Sequence, residues 1–269
     1  LVAATGTLGQ IIPPSIALVL LGDVMSNAYQ RAQNNMGVFS QETVSVGDLF
    51  VGAIVPGILI VVGYLSYAII INRGKKFLPI EEIEGEANIF KTLLPPATLI
   101  FVVLGSIIAG IATPTEAAAI GVFGAVVIAA SFGEISRSIL HESVIGTIKV
   151  TSMIMLIILG ASFLNFTLAS AGLGQKLDSF FTGLGLSTYG TLAVIILMYI
   201  VLGMFIETLS LMVVTIPIVV PLIIALDFNV IWFGILMIVL VEMALITPPV
   251  GLNLYVVQSA RKEGKLAEV

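Results

Sequence analysis

Two prolines side by side, Pro248 and Pro249, stand within an apolar stretch that runs from Val230 to about Ala260. Adjacent prolines remove two backbone N–H donors and press on the preceding helical turn. In hydrocarbon the carbonyls freed this way need other partners. Thr247-Pro248-Pro249-Val250-Gly251-Leu252-Asn253 therefore predicts a broken helix whose opened backbone faces a small polar cavity rather than lipid.

A related stretch lies near the other end of the chain. Ile11-Ile12-Pro13-Pro14-Ser15-Ile16-Ala17-Leu18 aligns with Ile246-Thr247-Pro248-Pro249-Val250-Gly251-Leu252-Asn253, and both copies interrupt apolar runs. Paired, proline-interrupted apolar segments in two parts of a chain point to the mid-membrane site of an inverted-repeat secondary transporter.

Composition agrees with a chain immersed in lipid. Of 269 residues, 58% are hydrophobic and 10% charged, against roughly a quarter charged in soluble domains. The expected fold is an all-α polytopic membrane protein. A net charge of −5 gives no basic footprint for nucleic acid. Cysteine is absent, which excludes disulfides and thiolate metal sites. A single histidine, His141, argues against a zinc or haem centre, and it reads as a solvated surface residue. The apolar run at Leu1 follows no basic region, so it does not read as a signal peptide. The expectation is a chain whose N-terminal part, and with it most of one repeat, lies outside this sequence.

Taken in order, residues 1–22 form the first broken helix and 23–48 an extramembrane polar connection, a loop or a short surface helix, containing Asn27, Arg31, Asn35 and Glu42. Residues 49–149 supply three spans and an interfacial arm. Leu49–Asn72 is kinked at Pro56, Leu93–Ala112 and Thr113–Phe132 are joined by a tight turn, and 133–149 form an amphipathic surface helix. Residues 150–187 are expected to fold as a re-entrant hairpin with its tip at Ala161–Thr167. Residues 188–226 are expected to form one discontinuous helix opened around Gly203–Ser210. Residues 228–260 form the second broken helix.

The placement of Lys and Arg orients these elements. With the C-terminus inside, all 11 basic residues except Arg31 and Lys176 fall on the inner side. The same count makes the two Pro-Pro helices cross in opposite directions, although that relation did not enter the choice of orientation.

Three groups of residues are candidates for binding. Glu207 is an ionisable group deep in a span, a functional-site hypothesis by position, and Gly203, Thr208 and Ser210 could add carbonyl and hydroxyl oxygens. Oxygen donors of this kind suit a small hard cation such as Na⁺. The structural alternative for Glu207 is a snorkelling carboxylate or a cap on the second half-helix. Thr247, Pro248, Gly251 and Asn253, mirrored by Thr5, Thr7 and Ser15, form the second group; a plain proline kink is its alternative. Ser162, Asn165 and Thr167 form the third, where helix packing competes. Thr113-Pro114-Thr115-Glu116 reads as a capping box, so Glu116 is assigned to structure. Glu242, a turn and a half before Pro248, faces either the cavity or a neighbouring helix. No basic residue falls inside a proposed span except Lys176, so an anionic cargo must be held by half-helix N-termini, backbone N–H groups and hydroxyls.

Four stretches carry a resemblance: Thr5-Gly6-Thr7-Leu8-Gly9-Gln10-Ile11-Ile12-Pro13-Pro14-Ser15, Thr113-Pro114-Thr115-Glu116-Ala117-Ala118-Ala119, Gly203-Met204-Phe205-Ile206-Glu207, and Leu245-Ile246-Thr247-Pro248-Pro249-Val250-Gly251-Leu252-Asn253-Leu254. In this order and spacing the chain resembles the large membrane subunit (the DctM-like M subunit) of tripartite ATP-independent periplasmic (TRAP) transporters. The resemblance implies an inverted-repeat elevator fold in a bacterial inner membrane. It also implies Na⁺-driven uptake of an organic acid such as a dicarboxylate, with Na⁺ as coupling ion and no other cofactor. Two partners are implied, a soluble periplasmic substrate-binding protein and a small four-helix membrane subunit. Carried over residue by residue, the Na⁺ site falls on Ser162, Gly203, Glu207, Thr208, Thr247 and Pro248. The chain departs from the family pattern in carrying Glu207 where many relatives have Asp, in a longer 23–48 connection, and in lacking the first repeat's hairpin ahead of Leu1.

Two other readings compete. A binding-protein-independent, Na⁺- or H⁺-coupled citrate or dicarboxylate permease shares every motif argument. An intramembrane enzyme needs a nucleophile with its base or a paired-Asp dyad. Here Asp23, Asp48, Asp178 and Asp227 all stand at loops or span ends, so no enzyme is expected.

Overall fold

The structure, a computed structural model, describes residues 2–38, 40, 42–73, 89–172, 176, 179–181, 183, 185–249 and 251–261. Among them eleven helices are defined, and no strand. In chain order they are α1 (Val2–Gly6), α2 (Leu8–Ile11), α3 (Ile16–Asn35), α4 (Val46–Asn72), α5 (Ile89–Ile108), α6 (Pro114–Ser131), α7 (Arg137–Ser170), α8 (Thr188–Gly203), α9 (Thr208–Ala225), α10 (Val230–Ala244) and α11 (Leu252–Arg261). Helices α4, α6, α7 and α9 are each long and apolar enough to cross a bilayer. The stretch before Pro13 and the helix after Ser15 qualify together as one span bent by 47°. Apolar side chains such as Val55, Leu59, Ile70 and Phe123 are exposed. On a soluble protein such surface would be anomalous; on a membrane helix it is the lipid-facing side.

The chain divides into two compact units, Leu1–Ile58 with Lys149–Val269, and Leu59–Ile148. In the first unit, α3 lies along α9 and α10, and α8 packs on α10. Leu18, Leu21 and Met25 of α3, Ile216, Val220 and Ile223 of α9, and Phe233, Met237 and Val241 of α10 are all buried. Lipid tails are as apolar as leucine, so cohesion here depends on close packing and interhelical hydrogen bonds rather than on escape from water. Tyr199 supplies both: its ring lies against Phe233 and its hydroxyl hydrogen-bonds Thr215 at 2.9 Å.

In the second unit, α5 and α6 form a hairpin. The expected capping box closes its turn. Thr113 Oγ1 accepts from the Glu116 N–H, the Glu116 carboxylate accepts from the Thr113 N–H, and Pro114 opens the helix. The side chain of Leu99 fills the space over Gly124.

Three expectations are corrected. First, the 23–48 connection is not a loop from its start, because α3 continues to Asn35. Asp23, Asn27, Arg31 and Asn35 recur every fourth residue and are exposed, while Met25, Ala28 and Ala32 between them are buried. That is helical amphipathicity. The loop begins at Met36 and is tied back by Gln33, whose side chain donates to the Glu42 carbonyl and accepts from the Glu42 N–H, each at 2.9 Å.

Second, the surface arm and the first hairpin limb are one 34-residue helix, α7. Ala161–Thr167, the expected tip, is helical, and the turn comes at Ala171–Gly172. The hydroxyls of Ser162, Thr167 and Ser170 donate to the carbonyls of Ile158, Phe163 and Phe166, four residues back, so these polar residues accompany the helix instead of breaking it. Part of the second limb expected at Gln175–Ser187 lies outside the described residues, as do residues 74–88 and 262–269 with Lys75, Lys76, Lys262 and Lys265, four of the basic residues that set the orientation.

Third, α5 begins at Ile89 and carries Pro95 and Pro96 without interruption. The pair takes its seventh and eighth positions. Two adjacent prolines are therefore not enough to end a helix in this chain.

Candidate functional site

The break at Pro13–Pro14 is closed by Ser15. Its backbone is extended, its hydroxyl accepts the Leu18 N–H at 3.2 Å as the N-cap of α3, and the same hydroxyl donates to the Gln10 carbonyl across the break. Thr7 is buried, its hydroxyl on the Ala4 carbonyl at 2.7 Å. Thr5 is exposed.

At the second break α10 ends at Ala244 and α11 begins at Leu252. The Thr247 hydroxyl donates to the Met243 carbonyl at 2.8 Å, and the Asn253 N–H spans the gap to the Leu245 carbonyl at 3.3 Å. Gly251 has φ +55°, a backbone conformation in which any side chain is strained. Both Pro-Pro bonds are cis.

The two broken helices lie against each other. The N-terminal piece α1 packs on α11, the last piece of the second helix, while α2 and α3 pack on α10, its first piece. Along the first helix the contacts pass from α11 to α10, so the two helices run antiparallel.

A third interruption joins them. Between α8 and α9 the chain opens at Met204–Glu207. Glu207 caps α9: its carboxylate accepts the Leu209 N–H at 2.9 Å, the Ser210 N–H at 3.0 Å and the Ser210 hydroxyl at 3.2 Å. A carboxylate at a helix N-terminus is favoured both by these bonds and by the helix dipole. Gly203 rests against α10, where an added Cβ would come 2.7 Å from the Ala244 Cβ. One turn on, the Thr208 hydroxyl donates to Glu242 Oε1 at 3.2 Å. The break at Gly203–Glu207 is thereby fastened to the last two turns of α10, just ahead of the second Pro-Pro break.

The structure thus brings Gly203, Glu207 and Thr208 to the end of α10, with Thr247, Pro248, Gly251 and Asn253 following in the same chain. Ser15 and Thr7 stand at the neighbouring break. Ser162 and Asn165 line a different feature, a groove of about 1210 Å³ walled by α3, α7, α8 and α9, and Thr167 is exposed on α7. Gly203, Glu207, Thr208, Thr247 and Pro248 are not among the residues lining that groove. Within it, Asn165 Nδ2 donates to the Val213 carbonyl at 3.2 Å. Pro217, four residues on, has no N–H to offer that carbonyl, so the asparagine replaces the missing helical bond. Sequence reasoning left Glu242 undecided. Its side chain is 1% exposed and enters the cluster through Thr208. The available signal was its spacing from Pro248, which puts it one turn before the break.

Comparison with known proteins gives a consistent result. The family described as "Tripartite ATP-independent periplasmic transporter, DctM component" matches residues 1–265. The chain is 31% identical to the C4-dicarboxylate TRAP transporter large permease protein DctM of Rhodobacter capsulatus over 98% of this chain and 60% of that protein. It is 30% identical to the sialic acid TRAP transporter large permease protein SiaM of Vibrio cholerae, over 96% of this chain and 57% of the relative. It is also 28% identical to the isethionate TRAP transporter permease protein DctMQ of Oleidesulfovibrio alaskensis, over 95% of this chain and 38% of the relative. The chain spans 60% of the length of the first of these relatives. All three are named as permeases, not as enzymes.

Proposed function

The chain belongs to the DctM component family of tripartite ATP-independent periplasmic transporters, and on that premise we propose that it forms the cargo- and ion-holding part of a Na⁺-coupled importer of organic acids. The reading rests on one observation above all: two oppositely directed helices, each interrupted at a Pro-Pro pair, pack against each other. At such a place the N-terminal ends of α3 and α11 offer N–H groups and positive dipole ends to a carboxylate. Backbone and hydroxyl oxygens at Gly203, Thr208, Thr247 and Pro248, with the Glu207 carboxylate, offer hard ligands to Na⁺. Bound cation then offsets the charge of an anionic cargo in a region without Lys or Arg.

In this reading the chain is part of a multi-pass protein of a bacterial inner membrane with its C-terminus in the cytoplasm. The unit comprising residues 1–58 and 149–269 carries the site, the unit 59–148 belongs to the scaffold, and transport proceeds by an elevator movement. A small four-helix membrane subunit and a soluble periplasmic binding protein complete the transporter. Relatives named for C4-dicarboxylates, sialic acid and isethionate support an anionic organic acid as cargo.

The test is uptake into proteoliposomes holding the full-length permease with its small subunit. Radiolabelled C4-dicarboxylate, sialic acid and isethionate are supplied with and without the binding protein. The expected result is uptake of one of them that requires both an inward Na⁺ gradient and the binding protein. Uptake indifferent to Na⁺ would refute the coupling, and uptake without the binding protein would assign the chain to a free-standing permease.

A further inference from the structure

Helix α7 stands beside its unit without packing closely along any of the other helices. Among the described residues Ala161 is the one it buries. A single side-chain hydrogen bond, from Asn165 to the Val213 carbonyl, ties it to α9. The space left between α7 and the helices α3, α8 and α9 is the groove of about 1210 Å³. Pockets for small molecules hold roughly 300–1,000 Å³, so this one exceeds what a compact solute fills.

Its walls divide by chemistry. α7, α8 and α9 present apolar side chains, among them Phe166, Met198, Leu202 and Ile218. The Ser162 and Thr215 hydroxyls on these walls already donate to the carbonyls of Ile158 and Leu211. Charge enters the lining only from α3, as Asp23 and Arg31. The two are separated by about 12 Å along the helix. Arg31 makes no ion pair or side-chain hydrogen bond with any described residue. It sits at the end of α3 beside the α9–α10 turn, where Tyr29 shares a small polar pocket with Asp227 and Asn229. Toward the α8–α9 break the lining ends in Leu202 and Val213.

A wide apolar gap between membrane helices offers water no partners, and if left empty its walls lose their dispersion contacts. An occupant must be apolar along most of its length and anionic where it meets Arg31. We propose that the groove binds a glycerophospholipid, its phosphate on the Arg31 guanidinium and an acyl chain running between α7 and the α8–α9 pair toward Leu202. Guanidinium matches phosphate with parallel N–H donors, and Asn35 stands one turn beyond to add an amide. Asp23, two turns the other way, is out of reach of the phosphate. The proposal depends on the chain crossing a membrane, not on the coupling ion or the cargo.

The test uses the full-length permease with its small subunit in mild detergent. It is titrated with phosphatidylethanolamine or phosphatidylglycerol carrying a photoreactive diazirine at mid-chain. Native mass spectrometry measures retained lipid, and digestion after illumination locates the crosslinks. Wild type should crosslink on α7 near Phe166 and on α8 near Met198 and Leu202, a pair of positions that a chain inside the groove reaches together. Arg31→Gln should weaken lipid retention about tenfold or more, and Arg31→Lys should weaken it less. Ala169→Trp sets a bulky ring in the groove from an exposed position. It should abolish the α8 crosslinks and spare those at Phe163, which is exposed and does not line the groove.

Wild-type crosslinks confined to surfaces such as Phe163 would overturn the proposal and leave the groove to a protein segment or subunit. Retention and crosslinks unchanged in Arg31→Gln would overturn it as well. Uptake enters neither readout, so failure here leaves the proposed transport function standing.

Discussion

Gly203→Val is expected to leave little folded protein in the membrane. The residue ends α8 where that helix meets α10, and even a single added carbon would sit 2.7 Å from the Ala244 Cβ and 3.7 Å from the Val241 Cα. Neither atom can swing aside, because an alanine Cβ moves only with its backbone. Overpacking of this kind costs about 1–3 kcal/mol for a methyl group, and valine adds two further carbons. Gly203→Ala is therefore the measurable variant. Its thermal unfolding midpoint in detergent should fall clearly, and Ala244→Gly in the same chain should recover much of the loss, with a coupling of about 0.5–3 kcal/mol. A Gly203→Val protein as stable as wild type would mean that α8 and α10 do not meet here.

Glu207 carries the second prediction, which separates its two roles. As a cap it satisfies three donors at the start of α9. Glu207→Ala should cost about 1–2 kcal/mol, in the range of lost N-caps. Glu207→Asp should cost little, since aspartate is a preferred cap residue. As a cation ligand, Glu207 contributes charge as well as shape. Glu207→Gln should therefore raise the Na⁺ requirement for uptake about tenfold or more while losing less stability than the alanine variant. An unchanged Na⁺ dependence in Glu207→Gln would reduce the residue to a cap. Unfolding curves and Na⁺ titrations of uptake on the same three variants decide between the two.

Some of this architecture was legible in the residues because backbone chemistry dictates it locally. Pro248–Pro249 and Pro13–Pro14 each remove two backbone donors inside an apolar run, and both helices open there. The capping box at Thr113–Glu116 needs only residues near in sequence, and it formed as expected. Other features depended on partners far along the chain. Pro95–Pro96 looks the same on paper, yet α5 runs through it. The small polar residues of α7 suggested an opened hairpin tip, but a hydroxyl can bond its own helix four residues back as readily as it can line a cavity. Polarity alone left Arg31 and Asn35 open between a loop and a surface helix, and they prove to continue α3. Glu242 could be placed one turn before a break, but which neighbour it faced depended on α9, 34 residues earlier at Thr208.

Antiparallel pairing of the two snapped helices can be read directly by pulsed electron paramagnetic resonance on the full-length protein in lipid. Cysteine is absent from this sequence, so label pairs can be introduced here without removing native thiols. Four pairs are enough: α1 with α11, α3 with α10, α1 with the start of α10, and the end of α3 with α11. Short distances for the first two pairs and long ones for the last two are the predicted pattern. The reverse pattern, or four long distances, would contradict the antiparallel packing of the two broken helices and, with it, the site they are proposed to form.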